Sequence, residues 1–406
     1  MDLEAFRWLD GEGAEVLDRW TESVPDDPLE AASAARRELG KERAALVLEQ
    51  VALRRRAARK FGPAGLRMLL TRRLLEQASG TEVAAFKAAR IASTGARSVA
   101  DLCCGAGGDA LGAAAAGLEV HLVDRDPLAL ALAARNLSAA GFRAASATEA
   151  TLPDLPRGFR ADAFHLDPDR RSAGRGEGEE RWDNAGLSPS PEGIAALASR
   201  FPRGAVKLPT AAPEGFLDLS GEVQFLGVRD ELREQVLWTG DIGKSGTISV
   251  AEFRDGAWEQ FRAGSEDARD AFSEEPAEEP RGWIHEPVKA MVRSHLFAAF
   301  ARERGLALLD GSTAWLAGAT DATSLLKSYR VLAHGPLRAG AEKALLVEAG
   351  RSCGAVKKRG VAVVPEKALR ELRGLPGDPA ILCYLRSRGR KWVVVAESAG
   401  SVEDEN

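Results

Sequence analysis

The chain is 406 residues long, 45% hydrophobic and 28% charged, with a formal net charge of −5. Two or three domains of ~100–200 residues are expected, and the composition excludes a collagenous, mucin-like or wholly disordered chain. The near balance of charge excludes a chain that is basic from end to end, while leaving room for local basic surfaces.

In chain order, the opening Met1-Asp2-Leu3-Glu4-Ala5-Phe6-Arg7 is acidic and amphipathic and lacks the basic-then-apolar plan of a secretory signal. No uncharged apolar stretch approaches the ~20 residues of a membrane span. Residues 1–95 read as a helical domain: Leu46, Val47, Leu48, Val51, Ala52 and Leu53 recur at helical spacing among charges. Phe61-Gly62-Pro63 breaks that helix, and a second is expected through Leu69, Leu70, Leu74 and Leu75. Residues 36–90 hold 14 Lys/Arg against 5 Asp/Glu. Arg outnumbers Lys 43 to 12, a bias of composition that discounts any single Arg cluster.

From residue 96 to 255 strands alternate with helices. Ser98–Leu102 is a short apolar strand running into glycines, Ala110–Ala116 a helix, and Leu118–Val123 a second strand ending at Asp124. Pro127–Ala140 is an amphipathic helix opened by proline, followed by a weak strand at Arg143–Ser146 and another at Ala161–Leu166. Later strands are expected at Gly204–Leu208, Val223–Val228, Gln235–Trp238 and Thr247–Phe253. The alternation implies an α/β fold built on a parallel sheet with right-handed crossovers.

Residues 256–325 read as an acidic loop and helical linker; between 255 and 280 there are 9 acidic and 2 basic side chains. A helix is expected at Pro287–Arg304. Residues 326–398 form a small α+β module, with strands expected at Tyr329–Ala333, Val361–Val364, Ala380–Leu385 and Trp392–Ala396, and helices near Arg338–Ala349 and Pro365–Arg373. Residues 327–391 carry 15 Lys/Arg against 5 acids. Cys103, Cys104, Cys353 and Cys383 form no CxxC pair and no zinc spacing, so no metal is expected; few, scattered cysteines suit a reducing cytoplasm.

The sharpest chemical signal is Asp101-Leu102-Cys103-Cys104-Gly105-Ala106-Gly107-Gly108-Asp109, set between a strand and a helix. Glycine there permits positive φ and close approach of a ligand to the backbone. Ligands of open parallel sheets collect at the carboxyl ends of the strands. Asp124 ends the next strand, 19 residues after Gly105, where a carboxylate can accept from both hydroxyls of a ribose. A nucleoside-containing cofactor is implied. Gly105-Ala106-Gly107-Gly108-Asp109-Ala110 satisfies the GxGxxG/A dinucleotide pattern, yet Asp101 and Asp109 place negative charge where a pyrophosphate wants neutral amides. A cofactor with an ammonium and a sulfonium suits acidic neighbours better.

The second signal is Phe164-His165-Leu166-Asp167-Pro168-Asp169-Arg170-Arg171. Its strand delivers Asp167 to the carboxyl edge, where it can orient an acceptor or take its proton. The same residues also read as a turn initiator followed by a solvated basic pair. Cys103 and Cys104 read as small residues packed beneath the turn rather than nucleophiles.

These motifs resemble those of a class I S-adenosylmethionine-dependent methyltransferase: Asp101–Asp109 is similar to motif I, Val123-Asp124 to the acidic end of motif II, and Asp167–Arg171 occupies the motif IV position. More narrowly, the chain resembles the group whose motif IV reads Asp-Pro-Ala-Arg-Arg and whose C-terminus is a THUMP-like domain, through Lys357-Lys358-Arg359-Gly360-Val361, Pro365, Glu286-Pro287 and Tyr329-Arg330-Val331-Leu332. Lys60-Phe61 and Leu75-Glu76-Gln77-Ala78 resemble its N-terminal part. Asp169 departs from the usual Ala, and the aromatic that follows in amino-group methyltransferases is missing. The resemblance implies a Rossmann-like methyltransferase domain between an N-terminal helical domain and a THUMP-like domain. By it, Asp101, Cys103, Gly105, Gly107, Asp109, Asp124, Arg125 and Asp167 surround the cofactor, with Thr148 or Glu149 at the adenine. Asp167 and Asp169 become the catalytic candidates, and Arg170, Arg171, Lys357, Lys358 and Arg359 the substrate-binding ones. The basic ends and the THUMP-type module imply structured RNA (tRNA or rRNA) as acceptor. A small-molecule or protein acceptor, and a non-catalytic RNA-binding protein, remain the alternatives.

Overall fold

Caps and apolar stripes account for the N-terminal helices. Asp2 accepts from the Ala5 N–H to cap α1 (Leu3–Asp10), and α2 (Ala14–Ser23) follows. Asp27 caps α3 (Pro28–Phe61), with Pro28 in its first turn and a break at Gly40, whose φ is +78°. The expected second helix through Leu69 and Leu70 does not form. After a 3-10 turn (Gly62–Arg67), residues 68–71 are extended, and only then does α4 (Arg72–Gln77) begin. The reason is visible in two buried amides. Gln50 accepts from Leu70 N (3.1 Å) and donates to Leu70 O (2.7 Å). Asn136 does the same for Leu69, at 2.8 and 3.1 Å. Side chains thus supply the bonds a helix would have made. The run closes with α5 (Thr81–Ala92).

The chain, seen here as a computed structural model, is described over residues 1–170, 186–213, 215–217, 219–269, 279–311, 313–319 and 323–399. It divides into two compact units, residues 1–222 with 234–245, and residues 223–233 with 246–406.

The first unit alternates as expected: β1 (Ser98–Leu102), α6 (Gly108–Ala115), β2 (Glu119–Asp124), α7 (Pro127–Ala139), β3 (Ser146–Glu149) and β4 (Ala163–Leu166). Next come the two-residue strands β5 (Asp169–Arg170) and β6 (Leu187–Ser188), α8 (Pro191–Arg200), β7 (Arg203–Leu208) and, after β8 (Glu222–Val228), whose residues from 223 on belong to the second unit, β9 (Glu231–Gly240). Within this unit the strand order is β9-β7-β4-β1-β2-β3. All neighbours are parallel except β7 and β9. The chain leaves β1 for β2 on one side and later returns to β4 on the other, so the carboxyl ends of β1 and β4 flank the switch point. The strand expected at Arg143–Ser146 lies three residues later. Its pairing with β2 starts at His121↔Ser146 and runs to Asp124↔Glu149, so residues 143–145 are spent crossing to the register.

The second unit contains β10 (Thr247–Arg254), β11 (Ala257–Gly264) and α9 (Ser265–Arg269), with strand order β11-β10-β8. The acidic stretch expected to be a solvated loop therefore holds a strand. Asp255 and Gly256, at φ +52° and +82°, form the two-residue turn of a hairpin, and Phe261 is buried against Phe300. An Asp-Gly pair between β-formers is a strong hairpin signal, and it prevails here over the acidic composition around it. Then follow β12 (Trp283–Pro287), α10 (Lys289–Ser294), α11 (Phe297–Glu303), β13 (Ala307–Leu308), β14 (Leu316–Gly318) and β15 (Leu326–Pro336). The single helix expected at Pro287–Arg304 is broken at His295, whose φ is +58°. Last are α12 (Ala341–Ala349), β16 (Arg351–Lys358), α13 (Pro365–Glu371), β17 (Asp378–Ser387) and β18 (Arg390–Ser398). A seven-stranded sheet runs β13-β14-β12-β15-β18-β17-β16. Val361–Val364, expected as a strand, is a connection; β16 takes the edge beside β17 instead, and Val361 is buried in the adjoining core. Among the described residues no helix is long and apolar enough to cross a membrane.

Candidate active site

A cavity of about 300 Å³ opens at the carboxyl ends of β1, β2, β4 and β7. Its floor is the glycine turn. Cys103, Gly105 and Gly107 are all left-handed, at φ +59°, +53° and +81°. Left-handed backbone is cheap for glycine and uncommon for a cysteine. A Cβ on Gly107 would lie 3.1 Å from Ala133 Cα, so α7 presses directly on the turn. Asp124 ties it down from β2: one carboxylate oxygen accepts from Gly105 N (3.1 Å), the other from Asp126 N (3.0 Å).

Asp101, at the end of β1, is buried. Its Oδ1 meets His165 Nδ1 at 2.9 Å, while its Oδ2 is buried without a hydrogen-bond partner. The other imidazole nitrogen lies 3.2 Å from Lys87 Nζ and 3.6 Å from Asp109 Oδ2. Lys87 reaches Asp109 at 2.7 Å and Glu234 at 2.6 Å. Ser79 Oγ contacts both of those carboxylates. Lys207 bridges onward, donating to Asp167 Oδ2 (2.8 Å) and to Gln77 O (3.0 Å), with Glu234 3.8 Å away. A continuous ionic chain therefore runs behind the cavity from Asp101 to Asp167.

Burial is the largest single influence on every member, and the neighbouring charges decide whether it prevails. Burial raises the Asp101 carboxyl despite His165 beside it, and raises Asp167 despite Lys207. Burial would lower His165, but the Asp109 carboxylate, joined by Asp101, outweighs it and holds the imidazole pKa above its ordinary value. Lys87 is raised against burial by Asp109 and Glu234. Asp109 and Glu234 are held below the usual carboxylate range, Asp109 by His165 and Lys87 and Glu234 by Lys87 and Lys207. Burial pushes the Cys103 and Cys104 thiols far up, so neither offers a thiolate.

The cavity wall includes Asp101, Cys103, Gly105, Asp109, Asp124, Arg125, Asp167 and Asp169. Cys103 and Cys104 both belong to the cavity lining, Cys103 half-buried and Cys104 buried. Gly107 shapes the turn from behind. Thr148 and Glu149 are not in the wall; the next residues, Ala150, Thr151 and Leu152, are. Asp169 pairs with Arg125 at 3.0 Å at the rim, as Asp167 pairs with Lys207 further in. The Arg170 side chain and all of Arg171 lie outside the described residues. In the other unit, Lys357 and Arg359 pair with Glu286 at 3.0 and 3.6 Å, and Lys358 donates to Val363 O.

The sequence reading missed Lys87, His165, Lys207 and Glu234 as site groups. One signal was present: Lys87 sits on the stripe Val83, Ala84, Ala88, Ile91, a lysine where the helical period calls for an apolar residue.

A family model described as a domain of unknown function (DUF8688) matches residues 2–57. The chain is 32% identical over 356 residues to an uncharacterized S-adenosylmethionine-dependent methyltransferase found in two strains of Mycobacterium tuberculosis, CDC 1551 and H37Rv, covering 82% of this chain and 90% of each relative. Its fold is similar to the crystal structure of a provisionally assigned methyltransferase from Porphyromonas gingivalis W83, with a TM-score of 0.76 and 18% identity over 96% of this chain and 99% of that one.

Proposed function

The chain belongs to the class I S-adenosylmethionine-dependent methyltransferases, and from that premise we propose that it methylates structured RNA, with Asp167 facing the acceptor. Bound S-adenosylmethionine supplies an electrophilic methyl group on a sulfonium. The residues present fit it. The partnerless Asp101 Oδ2 offers an acceptor to the ammonium, and a carboxylate can take further bonds at Asp124 beyond its two backbone donors. Gly105 and Gly107 allow close approach along the turn, and Ala150–Leu152 supply the wall near the adenine.

Asp167 carries the proposal for catalysis. Its carboxyl is kept from full burial, its proton affinity is raised, and Lys207 fixes one oxygen so that the other can accept an acceptor's N–H or O–H proton. Asp169, held by Arg125, positions the rim.

RNA as acceptor is supported by the charge excess of residues 36–90 and 327–391 and by exposed cations on the C-terminal module, among them Arg338, Lys343, Arg370, Arg373, Arg390 and Lys391. The ion pairs of Lys357 and Arg359 with Glu286 favour the second reading, a small-molecule or protein acceptor, since they spend cations the RNA reading needs.

The test is transfer of labelled methyl groups to bulk tRNA and rRNA, and to an RNA-depleted extract. Label in RNA, falling steeply with salt, supports the first reading; label only in the depleted extract overturns it. Asp167→Asn should cut transfer by about 10²–10⁴-fold while cofactor binding stays within a few fold.

A further inference from the structure

The ionic chain behind the cavity has more carboxylates than cations. Among the described residues, the cations paired with Asp101, Asp109, Asp167 and Glu234 besides His165 are Lys87 and Lys207, so with all four carboxylates ionised the group carries two excess negative charges with a neutral imidazole at its centre and one with an imidazolium. His165 is 4% exposed and lies in the cavity lining. Asp101 faces it from β1, Asp109 from α6 and Lys87 from α5. Glu234 on β9, Lys207 on β7 and Asp167 after β4 stand behind them. Asp101, which lines the cavity, bonds the imidazole with one oxygen, and its other oxygen is buried without a hydrogen-bond partner.

We propose that His165 is a positioning residue for the cofactor: it orients Asp101 through Nδ1–H, and the imidazolium's Nε2 proton leaves the protein when the cofactor's ammonium docks on Asp101 Oδ2. The proposal rests on the reading of this cavity as the cofactor site. Among the described residues, His165 is the cationisable group in contact with Asp101. A cation arriving at Oδ2 supplies a second positive charge to the same carboxylate, within a pocket where like charges repel strongly. Nothing is oxidised or reduced; the imidazolium N–H bond breaks, the proton goes to solvent, and the neutral imidazole keeps its Nδ1–H on Asp101. Lys87 can then donate to Nε2, which its 3.2 Å contact already permits. The Asp109 and Asp101 carboxylates raise the proton affinity of His165 above its ordinary value, which favours the charged imidazole before binding.

Isothermal calorimetry of S-adenosylhomocysteine binding, in buffers of differing ionisation enthalpy, reads the proton directly. At pH 6.5 the wild-type protein should release about half a proton or more, and its affinity should tighten with rising pH until the pair has titrated. His165→Gln should bind with no release and a flat pH profile. Because that variant can fail to fold, ¹⁵N-histidine NMR of the wild-type protein gives an independent reading among only five histidines. One buried imidazole should move from the charged to the neutral signature on adding the ligand. Binding without proton release, or release retained in His165→Gln, overturns the proposal while leaving the cofactor site standing. No binding to the wild-type protein overturns the site and the proposal together.

Discussion

Glu234 in the first unit and Glu252 in the second are both buried carboxylates on β-strands, and their surroundings treat them in opposite ways. Glu234 meets Lys87 at 2.6 Å and has Lys207 nearby, and the two cations hold it ionised against burial. Glu252 is completely buried; one oxygen accepts from the Asp230 backbone N–H, and the other has no partner. Burial pushes its pKa up to about 7, and the Asp230 carboxylate adds to the effect, while Lys327 is spent on Asp230 at 2.6 Å. A buried charge survives only where cations are supplied for it; otherwise the group neutralises. Charge is therefore maintained at Glu234, beside the cavity, and allowed to lapse at Glu252, the pattern expected when the ionised form has work to do.

The largest expected effect comes from removing the supply. Lys87→Met strands Asp109 and Glu234 and should cost about 3–5 kcal/mol of stability, read as a lowered denaturant midpoint. A loss under about 1 kcal/mol would show that the network is solvated and would dissolve the contrast with Glu252. Glu252→Gln tests the other side. The unfolded carboxyl ionises near 4.5 and the folded one near 7, so the penalty is absent below the first value, grows between them and is full above the second. The variant should leave stability unchanged at pH 4 and raise it at pH 8 by up to about 3 kcal/mol, and equal midpoints at both pH values would refute the assignment. Asp101→Asn exchanges the partnerless acceptor for an amide and should weaken cofactor binding about 10–100-fold by calorimetry, with the fold intact by circular dichroism. The smallest effect belongs to Lys357→Met. Its pair with Glu286 is 29% and 20% exposed, so less than about 1 kcal/mol should be lost in a melt of the same protein.

Legibility followed the range of the interactions. The strand–turn–helix around Cys103–Gly108 and the placement of Asp124 were readable because turn chemistry and period act within a few residues. The expected helix through Leu69 and Leu70 failed because Gln50 and Asn136, distant in sequence, supply strand-like bonds to those two peptides. The Asp255-Gly256 pair is a local hairpin signal, and it prevailed over the acidic composition around it. The adenine-side expectation at Thr148 and Glu149 missed the wall by a residue or two, since strand register depends on the neighbouring β2.

By itself the sequence determined a parallel α/β sheet, a glycine turn and an acid at the end of each of the strands β1 and β2, because period, caps and glycine dihedrals are local properties. Only the tertiary structure decided that Lys87, Asp101, Asp109, His165, Lys207 and Glu234 share one buried charge. They come from six elements, and the low dielectric that couples them exists only once those elements have packed.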